Sequence, residues 1–473
     1  MKRAELIFIP SPGIGHLVPT LEFAKLLIDR DDRILITVLV MKPSTSPHVE
    51  ACTRPVAGSQ SRIQLIELPQ VDPPPLELVR RYPEYFITLS VESQVSNVRK
   101  VVSEIVSSRS GSDSVRVTGL VLDFFCVSMI DVASELGLPS YMYLTSNAGF
   151  LNFMLYLSTH HGERINSTEF EYSDSELLIP GFVNPVPVSV LPLCSFNKNG
   201  YTTFVKLAQR FRDVNGIIVN TLSELEPYTI NLLSGGLNPP VYTVGPVLQV
   251  EGQSNPDSDE AQSRKIMRWL DDQPESSVVF LCFGSKGSFS PLQVKEMATG
   301  LEQSEYKFLW SLRISPPNNE VLVYNQSLND DIFPEGFLER IRGRGMICEW
   351  APQVEVLAHK AIGGFVSHCG WNSILESLWY GVPIVTWPLY AEQQLNAFKM
   401  VKELGLAVEM RLDSRRDGDL VMANEIEKAV RRVMDGDSEI RKKVKEMAEI
   451  SRKSLMDGGS SFISIRQFID LNF

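Results

Sequence analysis

The sequence is poor in paired cysteine, in long apolar runs and in positive charge. Its six cysteines stand far apart, at 52, 126, 194, 282, 348 and 369, with no CxxC and no Cys/His ligand spacing. That pattern argues against a disulfide framework or a thiolate metal site, and for reduced thiols in a cytoplasmic compartment. No apolar segment approaches the length of a membrane span, so an integral membrane protein is not expected. The opening MKRAELIFIPSPG carries basic residues, but its apolar run is short and broken by Pro10 and Pro12, unlike a secretory signal. Without such a signal, Asn166-Ser-Thr168 and Asn325-Gln-Ser327 read as loop residues rather than glycosylation sites. Lys and Arg number 45 against 57 Asp and Glu, and the net charge of −12 disfavours nucleic-acid or anionic-membrane partners. The same charge opposes a phosphorylated ligand only at a distance. Surface charges are screened within about 8 Å at physiological salt, whereas a helix terminus acts at contact.

What is present is ordinary globular content, 44% hydrophobic and 22% charged, over 473 residues, enough for two or three domains with large cores. The chemistry is concentrated between Trp350 and Gln393. There a mostly apolar strand, Ala361 to Ser367, runs into His368 and a Cys-Gly-Trp-Asn-Ser turn, and the helix-like SILESLWY follows. Gly381 is placed to close that helix with a left-handed cap, and Pro383 stops its continuation before a second strand, Ile384 to Trp387. A turn carrying Gly370, Asn372 and Ser373 ahead of a helix gathers free backbone N–H groups where the helix dipole favours a phosphate.

This block resembles the signature box of plant family 1 UDP-dependent glycosyltransferases, from the opening Trp through HCGWNS to the closing Glu-Gln. The resemblance implies that Trp350 stacks on uracil and that Ala351 and Gln353 read its edge. His368, Asn372 and Ser373 would hold the diphosphate, with Gly370 in the turn, and Glu376 the ribose hydroxyls. Trp371, Glu392 and Gln393 would contact the sugar, and the final Gln is similar to the family's glucose preference. Taken singly, these residues have plainer readings. Ser373-Ile-Leu-Glu376 is also a capping box, Trp350, Trp371, Trp379 and Trp387 are also core aromatics, and His368 is also a hydrogen-bonded core histidine.

At the other end, Leu6 to Ile9 reads as a buried strand, Ser11-Pro-Gly-Ile-Gly-His16 as a turn, and a helix with Pro19 near its start follows. Ile34 to Met41 is a second strand, so the opening is a βαβ unit. Gly13-Ile-Gly15 suggests a dinucleotide fingerprint, but the third glycine is missing and no acidic residue ends the second strand. PSPGIGH is similar to the family turn that holds the general base, which makes His16 the candidate base; capping its own helix turn is the alternative. Asp123 ends the strand Val117 to Leu122, in the LVLDFF context of the family's second catalytic residue, and otherwise reads as an Asx-turn or N-cap. An Asp on His Nδ1–H would fix the tautomer and stabilise the imidazolium. Thr145, closing the strand from Tyr141, matches a family position near the sugar, and Ser285, in the turn Gly284 to Ser288, matches a diphosphate hydroxyl.

Pro69 to Phe86, Phe150 to Tyr156 and Pro180 to Tyr201 read as irregular pieces that wall an acceptor pocket. The candidate acceptor contacts are Gly15, Phe124, Phe150, Phe196, Tyr201 and Tyr390. Further strands are expected at Gly216 to Asn220, Val241 to Pro246, Val278 to Phe283 and Tyr306 to Leu312. Glu251 to Ser263 reads as a linker, and Ile314 to Asp331 as a polar loop. Helices are expected at Leu292 to Leu301, Gln394 to Leu404, Asn424 to Met434, Ile440 to Leu455 and Phe462 to Phe473.

The resulting expectation is an α/β protein of the GT-B type, two Rossmann-like doubly wound domains facing across a cleft. An acceptor domain would span 1–246, a linker 247–263 and a UDP-sugar domain 264–459, with the helix 460–473 packing back on the first. The function expected is an inverting, metal-independent UDP-glucose-dependent O-glucosyltransferase without a cofactor, monomeric and cytoplasmic. Its acceptors would be small hydrophobic plant metabolites, flavonoids and other phenolics first and triterpenoids second. The alternatives are an NAD-dependent oxidoreductase and a catalytically silent UDP-sugar or small-molecule binding protein.

Overall fold

The computed structural model describes residues 3–42, 62–110, 114–163, 169–171, 173, 175–236, 238–249, 260–315, 330–413 and 420–473. The chain divides into two compact units. One comprises Met1–Val188, Leu193–Gln249 and Arg452–Phe473, the other Ser189–Pro192 and Val250–Ser451.

The first unit is built on β1 (Arg3–Ile9), β2 (Ile34–Val40), β3 (Ile63–Glu67), β4 (Val115–Asp123) and β5 (Ser140–Leu144). A small antiparallel hairpin, β6 (Glu176–Leu177) and β7 (Val186–Pro187), stands outside the main sheet, which β8 (Gly216–Val219) and β9 (Val241–Thr243) complete. The seven main strands are parallel, in the order β3-β2-β1-β4-β5-β8-β9. A central parallel strand is covered on both faces, which is why Leu6, Ile7, Phe8 and Ile9 form an unbroken apolar run and are all fully buried. From β1 the chain winds outward through β2 and β3, then returns to β4 on the other side of β1. That reversal opens a crevice at the carboxyl ends of β1 and β4, where open α/β sheets bind ligands.

The second unit repeats the plan. Its strands are β10 (Val278–Cys282), β11 (Lys307–Ser311), β12 (Gly345–Cys348), β13 (Ile362–Ser367), β14 (Ile384–Thr386) and β15 (Ala407–Glu409). All are parallel, in the order β12-β11-β10-β13-β14-β15, so its reversal falls between β10 and β13. The core beside this sheet includes Phe283, Phe289, Trp310 and Trp387, so the plain core reading is the right one for Trp387.

The helix Ser460–Asn472 belongs to the first unit. Phe468 is fully buried and meets Tyr141 and Tyr242 edge-on, at centroid distances of 5.1 and 5.3 Å. The Tyr141 hydroxyl donates to Asn472 Oδ1 at 2.6 Å. Truncating a buried aromatic removes its transfer energy and leaves a cavity, so Phe468→Ala is expected to destabilise the first unit by about 3–5 kcal/mol. A denaturant titration followed by tyrosine fluorescence measures it, and an unmoved midpoint would show the helix to be dispensable.

Several expected segments differ. Pro69 to Phe86 is irregular only through Pro75: a short helix spans Glu77–Arg81, and Pro83 opens the helix Pro83–Glu92 from its first position, where its missing N–H costs nothing. Phe150 to Tyr156 is not a loop but lies within the helix Ala148–Glu163. Pro180 to Tyr201 holds β7, two 3₁₀ turns and the start of the helix Lys198–Arg210, capped where the Asn197 side chain accepts from the Gly200 N–H at 2.7 Å. The expected linker overlaps the helix Glu260–Asp271 at its end, and most of its remainder lies outside the described residues, as do residues 316–329 of the polar loop and both Asn-x-Ser/Thr sites. Gln394 to Leu404 starts as an α-helix at Gln393 but loosens to a π turn over Lys399–Glu403. The five described cysteines are buried.

Candidate functional site

At the reversal of the first sheet, Gly13 adopts φ 139° and caps the helix Ile14–Arg30, so the tight turn after β1 needs glycine there. The turn sets His16 in the first helical turn, with its side chain 24% exposed, while Asp123 at the end of β4 has no exposed side-chain surface. His16 Nδ1 lies 2.9 Å from Asp123 Oδ2. The other carboxylate oxygen, Oδ1, accepts the Phe125 N–H at 3.0 Å and caps the 3₁₀ turn Phe124–Met129. Asp123 therefore meets His16 with one oxygen and caps the turn with the other. Thr145 Oγ1 stands 3.3 Å from the same His16 nitrogen. With Nδ1–H donated to a carboxylate, the lone pair of a neutral imidazole lies on Nε2.

Aromatic rings surround this histidine. Phe124 and Phe125 lie 5.9 and 5.8 Å from it, and Phe124 in turn meets Phe150 at 5.9 Å. Phe124, Phe150 and Tyr201 are almost entirely buried, Phe196 is half-buried at the end of a 3₁₀ turn, and Gly15 is exposed beside His16. Phe125 was not legible as a neighbour of His16, because nothing in the sequence separates the directions of two adjacent phenylalanines.

At the reversal of the second sheet, the helix Trp371–Tyr380 starts two residues earlier than SILESLWY suggests, with Gly370 as N-cap and no side-chain cap bond. The plainer reading of Ser373 and Glu376 as a capping box does not hold. Ser373 lies inside the first turn, and Glu376 points instead to Gln353, whose Nε2 donates to Ser373 Oγ at 2.8 Å and to Glu376 Oε2 at 2.7 Å. Burial pushes the Glu376 carboxyl up to about 7, against the opposing pull of the Gln353 hydrogen bond. Gly381 closes the helix at φ 72°.

His368, just past β13, is buried, and the imidazole is pushed down to about 4, first by burial and second by the Arg313 charge. It is therefore neutral at pH 7. A Cβ at Gly284 or at Gly370 would come within 2.6 Å of His368 Nε2, so both glycines are needed for the backbone to approach the ring. Ser285 is exposed on the turn next to Gly284, and Asn372 is half-buried in the first helical turn. Trp350 is half-buried beyond β12, Ala351 and Trp371 are buried, and Gln353 opens the helix Gln353–Ala358.

Gln393 is buried, and its Oε1 accepts the Leu389 and Tyr390 N–H groups, each at 3.0 Å. That fixes the amide orientation and turns its NH₂ away from the turn. Glu392 immediately precedes this helix, and Tyr390 stands 6.2 Å from His368 with its hydroxyl pushed up to about 12 by burial. Asn396 Nδ2 donates to the Cys369 carbonyl at 3.0 Å, tying this helix to the box turn, and the strained Cys369 (φ 62°) is held there. Among the described residues no group of three or more His, Cys, Asp or Glu side chains could hold a metal ion, and no helix is long and apolar enough to cross a membrane.

The family description "UDP-glucoronosyl and UDP-glucosyl transferase" matches residues 206–454. The chain is 55% identical to UDP-glycosyltransferase 71K2 of Pyrus communis, over 99% of this chain and 98% of that protein. It is 52% identical to flavonol 3-O-glucosyltransferase UGT71C4 of Arabidopsis thaliana, again over 99% and 98%. The crystal structure of Medicago truncatula UGT71G1 complexed with UDP-glucose superposes with a TM-score of 0.90 at 52% identity, covering 99% of this chain and 98% of that one. With two parallel, doubly wound sheets, the fold class is GT-B. This chain belongs to the UDP-glucoronosyl and UDP-glucosyl transferase family and is a UDP-glycosyltransferase.

Proposed function

We propose that the protein is an inverting, UDP-glucose-dependent O-glucosyltransferase acting on hydroxyl groups of small hydrophobic plant metabolites, flavonoids and other phenolics before triterpenoids. The observation that carries the reading is the His16 Nδ1–Asp123 Oδ2 contact of 2.9 Å, which leaves Nε2 as a base. The acceptor hydroxyl gives its proton to Nε2 as its oxygen attacks the anomeric carbon. The bond to UDP breaks on the opposite face, so an α-linked donor becomes a β-glucoside. Asp123 offsets the imidazolium charge while the proton stays on nitrogen. A phenolic ring fits the aromatic surroundings of His16, with Gly15, Phe124, Phe150, Phe196, Tyr201 and Tyr390 as the acceptor contacts. The Arabidopsis relative's name, a flavonol 3-O-glucosyltransferase, supports the same class.

On the donor side, Trp350 stacks on uracil, Ala351 and Gln353 read its edge, and Glu376 accepts from the ribose hydroxyls. Ser285, His368, Asn372 and Ser373 hold the diphosphate at the helix N-terminus that Gly370 opens, and these donors rather than a metal meet the leaving-group charge. Trp371, Glu392 and Gln393 hold glucose, with Thr145 near it. The Medicago truncatula UGT71G1 complex with UDP-glucose supports this donor. The same reading has the protein acting as a cytoplasmic monomer, with residues 1–246 and 460–473 serving the acceptor and 264–459 the donor.

Incubation with UDP-glucose and a flavonol tests the proposal: a product heavier by one hexosyl unit with a β anomeric coupling is expected, and an α-glucoside or donor hydrolysis alone would reject it. Glu376 adds a pH signature. Its carboxyl sits at about 7 in the unliganded protein, and ribose hydroxyls bind the ionised form, so binding expels a proton below that pH. Uridine, which lacks phosphates, is therefore expected to bind with constant affinity above about pH 8 and up to about tenfold more weakly per pH unit below 7. Calorimetry across that range, with Glu376→Gln as the flat control, decides it; a wild-type affinity independent of pH would remove Glu376 from the ribose.

A further inference from the structure

Arg313 follows β11 by two residues, so it stands past the carboxyl end of the strand beside β10. Its guanidinium Nη1 donates to the Gly284 carbonyl, and its own carbonyl accepts the Phe289 N–H at 3.1 Å. Arg313 thus grips both ends of the Gly284–Phe289 segment, which includes Ser285. Gly284 packs against His368, so Arg313, Gly284 and His368 form one layer across the ends of β11, β10 and β13. The Arg313 charge is also felt at Cys282, at Tyr390 and at His368 itself. His368 is neutral, and every other diphosphate group proposed above is a hydroxyl, an amide or a backbone N–H. None of those groups carries a full positive charge to set against two phosphates.

Resting on the donor reading above, we propose that Arg313 is the cation of the diphosphate site: a positioning residue that holds the Gly284–Ser285 turn by its carbonyl and offsets the charge developing on the departing UDP. The planar fork suits this place, since one N–H engages the carbonyl while the delocalised charge stays directed at the phosphates.

Comparing UDP with uridine isolates the phosphates. Arg313→Gln is expected to weaken UDP binding roughly tenfold while uridine affinity stays within about twofold, and to lower kcat as well as raise the KM for UDP-glucose. Arg313→Lys, which keeps the charge but not the fork, should lose only roughly threefold for UDP. Lys286, exposed on the same turn, is the competing cation; a larger loss in Lys286→Gln than in R313Q would overturn the assignment. So would unchanged UDP affinity in R313Q, or equal losses for UDP and uridine. Should R313Q not fold, Arg313→Met, which removes the charge and keeps the aliphatic stem, carries the test, and unchanged UDP affinity there overturns the proposal. Wild-type protein that binds uridine but shows no gain for UDP would overturn the diphosphate reading and this inference together; a normal gain for UDP that survives in R313Q overturns the inference alone.

Discussion

Replacing His16 by alanine is expected to lower glucosyl transfer by about 10²–10⁴-fold, the range general base catalysis supplies, while UDP affinity changes less than about twofold. The separation follows from the covalent layout: His16 sits on the turn after β1, and every donor group assigned to UDP sits on the strands and helices of the other sheet. A base acts only as the proton moves, so the loss should fall on kcat. The size of the loss should also depend on the acceptor. A phenol with a low pKa is partly ionised without help and suffers least, whereas an aliphatic alcohol suffers most. Parallel assays with acceptors of graded acidity, and calorimetry with UDP, measure both halves. Turnover of an aliphatic alcohol at the wild-type rate would reject the assignment.

The second large effect is expected from Asp123→Asn, a loss of about 10²-fold or more in kcat. The amide is nearly the same size, and its oxygen can still accept the Phe125 N–H that Oδ1 accepts now. What changes is the partner of His16 Nδ1. An NH₂ there asks Nδ1 to accept, which places the proton on Nε2 and removes the lone pair from the atom facing the acceptor. Asp123→Ala would lose the cap as well, so it should also lower thermal stability. A variant that keeps its melting temperature and loses turnover separates the electrostatic role from the structural one. If D123N turns over normally, Asp123 only caps the 3₁₀ turn.

Strands buried on both faces were legible in the sequence because they must be apolar along their whole length: Leu6 to Ile9 and Val278 to Phe283 carry that signature. The strands of the two main sheets that went unrecognised, β3, β12 and β15, lie at the sheet edges. There one flank is free, β3 and β12 are mostly only part-buried, and runs such as Gly345–Cys348 and Ala407–Glu409 are too short to show a period. Long apolar helices were obscured for the opposite reason. Ala148–Glu163 is apolar around most of its circumference and so lacks the one-sided stripe that marks a helix. His16, Asp123 and the box were singled out by the resemblance of PSPGIGH, LVLDFF and HCGWNS to family motifs. Arg313 was not, because its placement comes from strand order, and no local pattern joins residue 313 to Gly284 and His368. The alternative capping-box reading does not hold, because Gly370 supplies the cap three residues before Ser373.

The helix that carries Phe468 has a consequence for biosynthesis. The first sheet is complete when Thr243 has been made, yet its hydrophobic layer takes in Ile465, Phe468 and Ile469. At about 5–20 residues per second on the ribosome, those side chains emerge some tens of seconds or less after that strand. The nascent amino-terminal half must therefore persist with an open apolar seam while the intervening half is translated, which makes it a natural client for a holding chaperone.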